Sequence, residues 1–165
     1  MAKEESFDIV SQVDMQEVDN AVQQTDRQIA QRFDLKATKA EVTLDKHDST
    51  ILVKAPSDFV ARQVIDILGT SVIKRGIDLK ALKWGEAEAA SGGWVRLTAT
   101  IVNGIEDTLA KRINKDIRDE KFKAKVQIEG DKLRVFSPSR DELQKVIAFV
   151  KGVDYGIPLQ FTNRR

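Results

Sequence analysis

Val42-Thr43-Leu44-Asp45, a polar turn, then Ile51-Leu52-Val53-Lys54-Ala55-Pro56-Ser57 is the stretch that decides the fold, because the chain says it twice. The second copy is Val126-Gln127-Ile128-Glu129, a turn, then Leu133-Arg134-Val135-Phe136-Ser137-Pro138-Ser139. Ile51 matches Leu133, Val53 matches Val135, Pro56 matches Pro138 and Ser57 matches Ser139, each at an offset of 82 residues (133 − 51). Val64-Ile65 and Val146-Ile147 keep that offset in the segments that follow. A repeat of this length is one supersecondary unit per copy, and two copies are too few for a solenoid, which needs about three or more. The expectation is a tandem pair of small domains, residues 1–88 and 89–165.

Outward from each hairpin the pattern is the same. Phe7 to Val13 alternates as a strand should, and Asp14 stands three residues before Glu17 as a helix-starting pair. Val18, Ala21, Val22, Thr25 and Ile29 follow at helical spacing, with Phe33 expected to pack near the helix end. After the hairpin Ser57 caps a helix with the stripe Val60, Val64, Ile67 and Leu68; Lys74-Arg75-Gly76 ends it, and Ile77–Trp84 reads as a strand. Gly85 to Gly93, small, acidic and flexible in composition, is the one obvious linker.

In the second copy Trp94–Val102 is a strand, with Val95, Leu97, Ala99 and Ile101 on one face and Trp94, Arg96, Thr98 and Thr100 on the other. Asn103 and Glu106 have capping-box spacing before the stripe Ile105, Leu109, Ile113 and Ile117. Ser139 and Glu142 open a last helix (Leu143, Val146, Ile147, Val150), Gly152 stops it, and Leu159–Thr162 is the closing strand. Each copy therefore reads βαββαβ. The fold class is α+β: two ferredoxin-like domains, each a four-stranded antiparallel sheet with both helices on one face. The other face is left for solvent, a ligand or the sister domain.

Composition narrows the function. Lys and Arg number 27 against 26 Asp and Glu, far from the basic balance of a dedicated duplex-DNA binder. There is no cysteine, so disulfide and thiolate chemistry are excluded, and a reducing cytoplasm is the expected location. The first residues, Met1-Ala-Lys-Glu-Glu-Ser-Phe-Asp, lack a signal peptide's apolar segment, and no apolar run approaches the ~18 residues of a membrane span. His47 is the only histidine and falls in a polar turn, so neither a transition-metal site nor histidine catalysis is expected. Neither phosphate-loop pattern, GxxxxGK[ST] or GxGxxG, occurs. No catalytic residue, metal or cofactor is assigned.

Several segments together make the chain similar to the bacterial YajQ family: Ser6-Phe7-Asp8-Ile9-Val10-Ser11, Arg32-Phe33-Asp34, Ser57-Asp58-Phe59, Lys74-Arg75-Gly76-Ile77, Gly104-Ile105-Glu106, Gly130 to Val135, Ser139 to Gln144 and Gln160-Phe161-Thr162-Asn163. The resemblance covers nearly the whole chain. One departure is Asn163-Arg164-Arg165, where the family usually reads Asn-Phe-Arg. The resemblance implies a nucleotide-binding protein of two ferredoxin-like domains, some members being cyclic-di-GMP effectors. It also implies exchange of the first strands, residues 7–13 completing the second sheet and 94–102 the first. The periodicity alone is equally compatible with two unexchanged domains.

The candidate binding residues are Trp94, Arg96, Lys54, Arg134, Phe136 and Arg75. Arg134 and Phe136 alternate with inward Leu133 and Val135, so both project from the open face of a central strand, where RNA-recognition domains place stacking aromatics. Phe136 packing on the sister half is the alternative. With exchanged strands, Trp94, Arg96 and Lys54 share one sheet, a stacking ring beside two cations; one interdomain aromatic and two solvated cations is the other reading. Arg75 either belongs to a helix C-terminus or, in Arg75-Gly76-Ile77-Asp78, to the RxxD pattern of some cyclic-di-GMP sites. Lys111, Arg112 and Lys115, interleaved with Asp107, Asp116 and Asp119, read as a solvated helix face, and Arg164 and Arg165 end the chain; arginine at either place is the alternative holder of a phosphate. The expectation is a non-enzymatic binder of a cyclic dinucleotide or other purine nucleotide. RNA binding on the open faces and a protein-interaction module remain as rivals.

Overall fold

The structure is a computed structural model that describes residues 4–165; the reading of residues 1–3 lies outside them. In chain order the elements are β1 (Glu5–Val10), α1 (Met15–Gln31), β2 (Glu41–Asp45), β3 (Thr50–Ala55), α2 (Asp58–Lys74), β4 (Leu82–Trp84), β5 (Glu88–Ala89), β6 (Val95–Ile101), α3 (Asp107–Asp119), β7 (Lys125–Glu129), β8 (Lys132–Ser137), α4 (Arg140–Lys151) and β9 (Gln160–Thr162). They form two antiparallel sheets, ordered β2-β3-β6-β4 and β7-β8-β1-β9, with β5 added alongside β6. The chain divides into a unit of residues 13–101 and a unit made of 102–165 with the segment through Gln12. In each sheet the strand beside the hairpin comes from the other copy of the repeat: β1 pairs with β8 and β9, and β6 pairs with β3 and β4.

In the 13–101 unit the inward residues follow the alternation. Val42 faces Val53 and Leu44 faces Ile51 across the hairpin, and Val53 faces Leu97 across the next pair. Helices α1 and α2 cover that face with Val18, Val22, Ile29, Val64, Leu68 and Val72, all buried. Asp14 Oδ1 accepts hydrogen bonds from the Gln16 and Glu17 amides at 3.0 and 3.4 Å, and Ser57 Oγ accepts from Val60 N at 3.2 Å, so both caps sit where the sequence puts them. The end of α2 is a Schellman turn: Ile77 N donates to Val72 O and Gly76 N to Ile73 O, with Gly76 at φ +79°.

In the other unit Phe7 and Ile9 pair with Val135 and Leu133, and α3 and α4 cover them with Ile113, Ile117, Val146, Ile147 and Val150. Ser139 Oγ accepts from Glu142 N at 3.3 Å, while the Glu142 carboxylate accepts from Lys123 N at 3.0 Å.

Five local expectations are corrected. Phe33 does not pack at the end of α1; it is 90% exposed, because Arg32 leaves the helix extended, clasps Asp34 with two hydrogen bonds, and hands the core position to fully buried Leu35. The expected strand 77–84 is reduced to Leu82–Trp84, since Asp78 accepts from Lys80 N and winds Leu79–Ala81 into a 3₁₀ turn. The presumed flexible linker is ordered: Ala89 pairs with Val95, and Ala90 N donates to Trp94 O at 2.7 Å. Asn103 does not cap α3, whose cap is Glu106 without a side-chain bond. Gly104 N donates to Ser11 O and Ile105 N to Asp131 O, which carries the chain away from a cap; a Cβ on Gly104, at φ +104°, would sit 2.7 Å from Asp131 Oδ2. The first strand runs Glu5–Val10, so Ser11–Val13 lie beyond it.

Candidate functional site

The outer face of the β2-β3-β6-β4 sheet carries three of the sequence candidates. Because Val53 and Ala55 point inward on β3, and Val95 and Leu97 on β6, Lys54 and Arg96 point outward, and the register sets them directly opposite each other. Trp94, half-buried, enters β6 immediately before Val95. Arg96 is exposed, as are Thr98 and Thr100 further along its strand, so this face is open to solvent. Neither Lys54 nor Arg96 makes a side-chain hydrogen bond or ion pair among the described residues. Like charges directly opposite in an antiparallel pair oppose sheet formation by roughly 0.2–1 kcal/mol. Glu88 on β5, hidden from the sequence reading inside the supposed linker, stands opposite Arg96 on the other side.

Arg134 and Phe136 lie in the other sheet, on β8. The register places Arg134 opposite Asp8, which is only 1% exposed although it points away from the helices. Arg134 Nε donates to Asp8 Oδ1 at 2.8 Å and Nη2 to Oδ2 at 3.3 Å; Lys132 Nζ adds a contact at 3.3 Å and Asn163 Nδ2 one at 2.8 Å. Arg134 Nη1 also reaches Glu129 at 3.4 Å. The Arg134 guanidinium therefore holds the Asp8 carboxyl far below the usual carboxylate range, with Asn163 and Lys132 assisting. Two edges of its guanidinium are thus held by carboxylates, Nε and Nη2 by Asp8 and Nη1 by Glu129. Phe136 is half-buried, opposite Ser6 and Lys125.

Arg75 sits on neither sheet face. Helix α2 ends beside the start of α1, where Arg75 Nη1 meets Glu17 Oε2 at 3.3 Å and its Nε is buried without a hydrogen-bond partner. It lines a shallow cleft of about 480 Å³ with Gln24, Arg27, Gln28 and Gln31. Asp78 of the RxxD pattern is occupied in the 3₁₀ turn described above. On α3, Lys111, Arg112 and Lys115 pair with Asp107, Asp116 and Asp119 one turn away, a solvated ladder that leaves none of them dedicated to a ligand.

The displaced carboxyls are not poised as general acids. The carboxyls with displaced pKa values, Glu5, Asp8, Asp34 and Glu142, all move down, held by Arg140, Arg134, Arg32 and the Lys123 amide respectively. Each stays ionised at neutral pH, whereas a general acid needs a pKa near the working pH. Tyr155 moves up, chiefly through burial and through donating to Asp116 at 2.8 Å. Among the described residues no helix is long and apolar enough to cross a membrane.

Comparison with known proteins gives one family match and many relatives. The family model described as nucleotide-binding protein YajQ-like matches residues 5–165. A protein of Desulforamulus reducens named nucleotide-binding protein is 49% identical over 165 residues, covering 100% of this chain and 99% of the relative. A Geotalea uraniireducens protein of the same name is 51% identical over 160 residues (97% and 98% covered), and one from Acidithiobacillus ferrooxidans 46% identical over 160 (97% and 98%).

Proposed function

The chain belongs to the YajQ family, and from that premise we propose that it is a non-enzymatic nucleotide-binding protein whose binding surface is the open face of the β2-β3-β6-β4 sheet. The observation that carries the placement is the unpaired couple Lys54 and Arg96, set opposite each other beside Trp94 on an exposed face. A purine stacks on the Trp94 ring, and the two cations take the phosphates, Arg96 as a planar fork and Lys54 as a point charge. Thr98 and Thr100 offer hydroxyls along the same strand face. Arg134 and Arg75 are assigned structural work in this reading, because Asp8 and Glu17 already hold them. A cyclic dinucleotide, cyclic-di-GMP, is the proposed ligand: two purines and two phosphates suit a strip with one ring and two adjacent cations. The names of the relatives support nucleotides as the ligand class.

Calorimetric titration with cyclic-di-GMP, GMP and a short single-stranded RNA at two salt concentrations tests the proposal. One-site saturation by cyclic-di-GMP is expected, weakened by about 1–3 kcal/mol in Trp94→Ala, the range for loss of a base–aromatic stack. Undiminished binding in a folded Trp94→Ala protein would move the site off this face. Binding of RNA alone, falling steeply with salt, would replace the nucleotide by a nucleic acid.

A further inference from the structure

The 102–165 unit contains a second cleft that the nucleotide reading leaves unused. It lies between β1 and α4, has a volume of about 370 Å³, and is floored by Phe7, Leu143 and Ile147. Arg140, Gln144 and Arg164 line it as well. The polar part is built, and the backbone shows how. Asp8 pairs with Thr162 across β1 and β9, so continued pairing would set Ser6 opposite Arg164. Instead Ser6 exchanges both backbone hydrogen bonds with Arg165, at 3.1 and 2.9 Å, and Asn163 takes φ +53°. One extra residue has been inserted, a β-bulge, and bulges re-aim the side chains that follow them. Arg165 now shares the outer side with Ser6, and alternation returns Arg164 to the inner side, where Glu5 and Phe7 meet α4.

The charges there are unequal. Arg140 is fixed by two hydrogen bonds to Glu5, both 3.1 Å, which leaves its outward edge oriented but its charge balanced. Arg164 has no side-chain partner among the described residues. An apolar floor beneath an unpaired guanidinium and a neutral amide suits a ligand with one oxyanion and a compact apolar body. The volume is at the low end for small-molecule sites, which span roughly 300–1,000 Å³. We infer that this cleft is a binding site for a small phosphate monoester with a flat apolar group, held by Arg164 and Gln144 at the phosphate and by Phe7, Leu143 and Ile147 at the body. It is independent of the Trp94 surface.

The test is an NMR titration of the full chain with inorganic phosphate and with phenyl phosphate. Phenyl phosphate should saturate, with amide shifts centred on residues 5–7, 140–147 and 164–165, and bind at least about 5-fold more tightly than phosphate because its ring buries apolar surface. Arg164→Ala should weaken it about 10-fold or more, the loss expected of a charge-assisted hydrogen bond, and Arg164→Lys should fall between. Gln144→Glu, an exposed change that places a carboxylate at the cleft, should abolish binding while the unfolding midpoint holds. Trp94→Ala should leave phenyl phosphate binding unchanged, which separates this site from the proposed nucleotide surface. Equal affinity for the two probes, wild-type affinity in both Arg164→Ala and Gln144→Glu, or no saturation at all would each overturn the assignment.

Discussion

At equivalent positions of the repeat, Leu52 and Lys54 on β3 correspond to Arg134 and Phe136 on β8. The neighbouring strands set Thr98 and Arg96 against the first pair, and Asp8 and Ser6 against the second. Where the register supplies an acid, as Asp8 does for Arg134, the cation becomes part of the fold: its guanidinium is held by two hydrogen bonds and the acid is buried. Where the register supplies a second cation, as Arg96 does for Lys54, neither forms an ion pair among the described residues, although Glu88 stands across from Arg96 on β5. One framework thus yields a face whose central cation is ion-paired across the strands and a face whose two facing cations are not. The difference lies in two cross-strand pairs.

The comparison breaks most visibly at Asp8. Asp8→Asn removes the acid from beneath Arg134 and Lys132 and should cost about 3 kcal/mol in urea denaturation, the lower end for breaking a buried ion pair because both cations reach solvent. Thr98→Val, at the matching place on the other sheet, should stay within about 0.5 kcal/mol. Equal costs would mean that the two faces are not different in kind.

Acid should expose the same asymmetry. Asp8 has a folded pKa depressed below its ordinary 3.8, so its stabilisation is complete above about pH 4 and is lost as the pH falls through the depressed value. Between about pH 4 and pH 2 the wild type should lose stability more steeply than Asp8→Asn, as read from urea midpoints. Parallel curves would remove Asp8 as the cause.

On the other face, Arg96→Lys should weaken cyclic-di-GMP by about 1.5 kcal/mol, since the ammonium keeps charge but loses the fork. A loss at Arg134→Lys as large as at Arg96→Lys would return Arg134 to the binding residues. The smallest expected effect is at Phe136→Ala, which should shift cyclic-di-GMP affinity by less than about 0.3 kcal/mol. A larger shift in calorimetry would restore Phe136 to the site.

Much of the candidate site was legible before any coordinates. Period-two alternation fixes which of Trp94, Val95, Arg96 and Leu97 point together, and it placed Arg134 and Phe136 outward as well. What it could not supply was the partner across the strand. Arg134 and Arg96 look alike in sequence; only the register shows that one meets Asp8 and the other lies between Lys54 and Glu88. Glu88 escaped notice because two strand residues inside a small, acidic stretch carry too little pattern. Arg164 and Arg165 were both candidates for a phosphate, but which of them turns inward was hidden, because a bulge shifts the alternation without leaving any mark in composition. Phe33 misled for a related reason: apolar character at a helix end says nothing of whether the chain has already turned away.

Residue pattern alone was enough for the repeat, the α+β architecture, the helix stripes, the Asp14, Ser57 and Ser139 caps and the glycine-ended α2. All of these depend on interactions a few residues apart, so local pattern contains them. The tertiary structure decided which hairpin each first strand joins, which cations are neutralised, and where Arg164 points. Those depend on residues such as Asp8 and Arg134, 126 positions apart, whose meeting is set by strand pairing and register. Side-chain alternation chooses a face; it does not choose a neighbour.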